Sequence, residues 1–96
     1  MKWMEIIKVQ TVSQKASGAC RDYLEQVESV QNISGLATIR RYRHATVEGC
    51  QVVVLAWTSD PVNVSGSRLA QSFIHEMKRF GMVDHSVWVS PDSDNL

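Results

Sequence analysis

Ninety-six residues, 44% hydrophobic and 21% charged, set the scale of one globular domain with a single core. Ten Lys and Arg balance ten Asp and Glu, a zero net charge that excludes the broad basic footprint of a nucleic-acid backbone binder. Two cysteines, Cys20 and Cys50, are too few for a four-thiolate zinc site or a disulfide framework.

Met1 to Lys8 carries Glu5 and Lys8 where a signal peptide needs an unbroken apolar core, and no stretch approaches transmembrane length. The expectation is a cytoplasmic protein with reduced thiols and no membrane partner. Trp3 to Val12 is rich in Ile and Val, as a strand is. Ser13 to Ser17 then offers hydroxyls suited to starting a helix. Ala16, Ala19, Cys20, Tyr23, Leu24, Val27 and Val30 fall on one helical stripe, which Ser34-Gly35 breaks.

Leu36 to Ala45 reads as a second strand, and Thr46-Val47-Glu48-Gly49 as a short turn. Gln51 to Thr58 follows as an apolar strand, so the two strands should pair antiparallel as a hairpin, and Asp60-Pro61 ends the second of them. After Ser65-Gly66-Ser67 comes a second helical stripe of Leu69, Ala70, Phe73, Ile74, Met77 and Phe80, with Gly81 placed as its capping glycine. Met82 to Val89 is the final strand. Residues 1–90 form one domain and 91–96 a polar tail.

The order β-α-β-β-α-β predicts an α+β, ferredoxin-like fold: a four-stranded antiparallel sheet with both helices on one face. Val52, Val54 and Ala56 alternate with Val53, Leu55 and Trp57 in the third strand, so both of its faces are apolar. The helices cover one face. A second copy of the chain is the simplest cover for the other, which makes a homodimer through the sheet face the expected assembly.

Several features together resemble the dimeric α/β-barrel superfamily, particularly antibiotic-biosynthesis-monooxygenase-like domains. They are this element order, Gly35-Leu36 opening the second strand, Arg40-Arg41-Tyr42-Arg43 within it, and a third strand closing on Trp57-Thr58-Ser59. The likeness spans about residues 3–89. It implies sheet-to-sheet dimers and, in some members, cofactor-independent oxygenation of aromatic polyketides. Others degrade heme, and Trp57 matches their tryptophan at the end of the third strand. Their pattern also requires an Asn in the first strand and a His early in the second helix. Trp3 to Val12 holds no Asn and His75 falls late, so no cofactor is expected.

Two functions compete. One is a cofactor-independent monooxygenase or isomerase acting on a small aromatic or apolar substrate. His85 or His44 would be its base, Tyr42 and Arg40 would orient an oxyanion, and Trp57 and Phe73 would form an apolar wall. The other is a non-catalytic homodimeric module that binds a small ligand or a protein. The basic run Arg40, Arg41, Arg43 and His44 suits edge protection and ion pairs better than an anion site. Tyr42 is the only aromatic residue of that strand, too few for an RNA-binding sheet. His75-Glu76 lacks the second His of a zinc-protease helix, and His75 belongs on the surface. No metal is expected. Cys20 belongs to the core, and Cys50, beside the hairpin, is expected to be exposed.

Overall fold

The computed structural model describes residues 2–30, 32–59 and 62–91. The elements run β1 (Trp3–Thr11), α1 (Gln14–Glu28), β2 (Leu36–Arg43), β3 (Cys50–Trp57), α2 (Arg68–Met77) and β4 (Gly81–Val89). All strand pairs are antiparallel and the sheet order is β2-β3-β1-β4, the ferredoxin-like α+β arrangement. Asp60-Pro61 and the tail beyond Pro91 lie outside the described residues.

Each helix begins on a serine. Ser13 Oγ accepts the Ala16 N–H and Ser67 Oγ accepts the Ala70 N–H, both at 3.0 Å, satisfying a donor that the helix leaves orphaned. Gly81, however, does not cap α2, which ends at Met77 with Lys78 as its C-cap. Phe80 folds into the core, and Gly81 opens β4 opposite Thr11. A Cβ at Gly81 would strike the carbonyl oxygen of Gln10. The glycine therefore serves close strand pairing, not helix termination.

Register fixes which parity faces the helices. Trp3, Glu5, Ile7 and Val9 of β1 stand opposite Trp57, Leu55, Val53 and Gln51 of β3 on the covered side, where the apolar ones join Leu24, Val27, Phe73 and Met77 in one core. The opposite side carries Met4 and Ile6 of β1, Val52 and Val54 of β3, Tyr42 of β2, and Met82 and Trp88 of β4. Tyr42 and Trp88 are both 54% exposed and Met82 80%, so this side is an apolar sheet face without cover in the single chain. The third strand is thus apolar on both faces; Val53, Leu55 and Trp57 face the helices, as does Gln51, whose amide donates to Ser17 of α1.

Both cysteines are free and buried. Cys20 packs in the core as expected, whereas Cys50 is only 7% exposed, at the start of β3 where its backbone bonds His44 and Val47 at the β2–β3 turn. Burial pushes the Cys20 thiol from its ordinary 9.0 up to about 11.

Three outcomes are expected from this packing. Gly81→Ala should lower stability by ~1–3 kcal/mol in chemical denaturation, because the clash is with backbone. In the native protein Cys20 should resist alkylation by iodoacetamide at pH 8 yet react after unfolding. A thiol pKa raised in the folded state leaves stability intact below about pH 9 and erodes it as pH climbs toward 11, so denaturation midpoints should fall across that window.

Candidate active site

Glu5 stands in phase with Trp3, Ile7 and Val9 on the helix-facing side of β1, and its side chain is fully buried. A carboxylate there is tolerated only if its oxygens are satisfied. Four donors satisfy them. The Trp57 indole N–H donates to Oε2 at 2.8 Å and the Ser67 hydroxyl to Oε2 at 2.6 Å. The Ser67 backbone N–H reaches Oε1 at 2.8 Å, and His85 Nε2 lies 2.9 Å from the same oxygen.

The first three contacts assign the protons. Indole and amide can only donate, and Ser67 Oγ already accepts from Ala70, which leaves its hydroxyl proton for Glu5. Glu5 therefore accepts all three of these bonds, and with its carboxylate ionised the fourth is donated by His85 Nε2. That orientation leaves Nδ1 as the nitrogen without a partner among the described residues. The imidazole is largely shielded but reaches solvent, with 18% of its side chain exposed.

Local sequence explains how these groups meet. Trp57 is the last residue of β3, directly across from Trp3, and the two indoles stack with centroids 5.4 Å apart. Trp3 is held in turn by its own N–H on the Ser59 carbonyl at 3.0 Å. Gly66 adopts φ +93°, a left-handed conformation that brings the loop before α2 against the site. A Cβ on Gly66 would sit 2.5 Å from His85 Cε1 and 3.0 Å from Glu5 Oε1, so any side chain there would displace the pair.

Of the residues singled out from the sequence, only His85 and Trp57 belong to this cluster. Tyr42 and Arg40 pair with Val52 and Val54 on the open sheet face, the side away from His85. They cannot orient an oxyanion for it. His44 sits at the β2–β3 turn, where its Nδ1 accepts the Thr46 and Val47 N–H groups at 3.1 and 2.9 Å. Phe73 is packed in the core, and Trp57, 5% exposed, is closed in by Trp3 and Glu5, leaving no open apolar wall at either. Arg41 is tied to Glu25 and Glu28, as an ion-pair role requires.

Glu5 and Ser67 are site residues that the sequence alone does not single out. The available signal for Glu5 is an acid at an inward position of an apolar strand, and for Ser67 a helix cap directly after a glycine. The arrangement suits proton transfer: a histidine oriented by a buried carboxylate, its second nitrogen free. It does not suit a heme, since Trp57 is sealed and His75 is exposed on the outer side of α2. Among the described residues no three His, Cys, Asp or Glu side chains cluster to hold a metal ion.

No protein-family model and no curated protein matches the chain. Among solved structures, a conserved protein of unknown function from Bacteroides thetaiotaomicron VPI-5482, described as a possible oxidoreductase, superposes with a TM-score of 0.70 at 5% identity. That match covers 93% of this chain and 98% of the other. A protein from Deinococcus radiodurans, assigned provisionally as an antibiotic biosynthesis monooxygenase, superposes with a TM-score of 0.69 at 9% identity, covering 92% and 91%. At such identities the likeness is one of fold: the chain has the βαββαβ architecture of antibiotic-biosynthesis-monooxygenase-like proteins.

Proposed function

We propose that this protein is a small acid–base catalyst, a cofactor-independent monooxygenase or isomerase acting on a small aromatic or apolar substrate and working as a homodimer. The observation that carries this reading is the His85–Glu5 pair at 2.9 Å, with Nδ1 left free at a partly open position. Glu5 orients the ring and stabilises it when protonated; Nδ1 takes a proton from an acidic C–H or hydroxyl of the substrate. For an oxygenase the resulting carbanion supplies the electrons itself. A methylene and dioxygen give a carbonyl and water, with both methylene hydrogens leaving in the water. For an isomerase, the same nitrogen returns the proton at another carbon.

A second reading has one observation in its favour. Trp57 and Phe73, the expected ligand wall, are packed tight, which suits a non-catalytic homodimeric module. Turnover separates the two. Incubation with hydroxylated anthrones and quinols, with and without oxygen, and with small enolisable ketones should reveal activity in the wild type. His85→Gln should lose at least about 100-fold of it, the usual share of a general base. No turnover on any of these substrates favours the module.

The homodimer has its own expected outcome. Val54 lies mid-strand on the open face beside Ile6 and Arg40. Covering a Val or Leu is worth roughly 1.5–3 kcal/mol, so several such residues favour association. In sedimentation at micromolar concentration the wild type should run as a dimer and Val54→Asp as monomer or aggregate. Lys15→Asp, on the exposed surface of α1, should leave the dimer unchanged. A monomeric wild type would remove this assembly from the proposal.

A further inference from the structure

Between α1 and β2, at the sheet edge opposite β4, lies a cleft of about 530 Å³. Ser17, Arg21, Arg41, Arg43, His44 and Gln51 line it, and the β2–β3 turn forms its rim. A second hollow of about 430 Å³ shares Ser17, Arg21, Glu48 and Gly49 with it, so the two form one groove reaching the first turn of α1. Nothing in the acid–base site uses this groove.

The charges within it are unevenly spent. Glu28 is fully engaged by Arg41, one oxygen on the backbone N–H and the other on Nε, both at 3.2 Å. Arg43 has no carboxylate within ion-pair distance among the described residues, and Arg21 meets only its exposed neighbour Asp22, at 3.9 Å. Glu48 is the one remaining acid of the lining. His44 adds a donor: with Nδ1 accepting two backbone N–H groups, its ring proton is on Nε2. Two guanidinium groups and an imidazole N–H are thus left with unspent donors around a space of ligand size. Guanidinium forks match the paired oxygens of carboxylates and phosphates.

We infer that this groove is a binding site for a small organic anion bearing a carboxylate or phosphate group, held chiefly by Arg21 and Arg43. It is separate from the His85 site and stands whether or not that site is catalytic. Because the groove is open, binding is salt-dependent. The same guanidinium groups would hold either head group, so the probes must tell them apart.

The test is a ¹⁵N–¹H NMR titration of the full chain with inorganic phosphate and, separately, with benzoate, each against sodium chloride at equal ionic strength. Saturable shifts are expected at amides of residues 17–21 and 43–51. Saturation by phosphate alone identifies a phosphoryl ligand, and saturation by benzoate a carboxylate. Arg43→Ala and Arg21→Ala should each weaken binding about tenfold, ~1.4 kcal/mol. Arg40→Ala, on the other sheet face, should change nothing, and the dispersion of each variant's spectrum verifies its fold. The inference is overturned if neither anion shifts these amides beyond the chloride control. It is equally overturned if Arg40→Ala weakens binding as much as Arg43→Ala does.

Discussion

A carboxylate without water must be met by donors on every side, and in this protein that demand falls on Glu5. Its four hydrogen bonds come from the end of β3, the cap of α2 and the middle of β4. Each bond to a charged acceptor contributes about 1.5–3 kcal/mol, while removing a partner leaves a buried charge costing about 3–5 kcal/mol. The placement of Trp57, Ser67 and His85 is therefore mutually dependent. Ser67 illustrates the economy of the arrangement: one hydroxyl accepts from the helix and donates to the acid.

The two faces of the sheet divide the remaining chemistry. On the covered face apolar side chains from both helices close over β1 and β3, with Glu5 the one acid set among them. On the other face Met4, Ile6, Val52 and Val54 form a central apolar band edged by Lys8, Asp84 and Arg40. Lys8 and Asp84 pair across the strands at 3.8 Å, both solvated, and add little to stability. The chemically distinct features lie at opposite edges: the histidine on β4 and the arginine groove beside β2.

Architecture was legible in the sequence because it rests on periodicity. The stripe from Ala16 to Val27 and that from Leu69 to Met77 could only be helices, and the apolar run at Gln51 could only be an interior strand. Boundaries set by tertiary contact were less legible. Gly81 has the sequence context of a helix cap, and only the proximity of Gln10 turns it into the start of a strand. The candidate site was half legible. Strand parity correctly separated Arg40 and Tyr42 from Arg41. It could not show that His85 and Tyr42 occupy opposite faces, since that depends on how β4 registers with β1 and β2 with β3. Glu5 looked like a charge interrupting an apolar start, because its partners are 52, 62 and 80 positions away.

Those separations bear on the order in which the chain can fold. The β2–β3 hairpin closes a short loop and is entropically cheap, whereas the Glu5–His85 contact joins residues 80 positions apart. Without β4 docked along β1, Glu5 retains its Trp57 and Ser67 donors but lacks the fourth, and the imidazole has no fixed orientation until the last strand pairs. A nascent chain short of residue 85 carries the acid without the base.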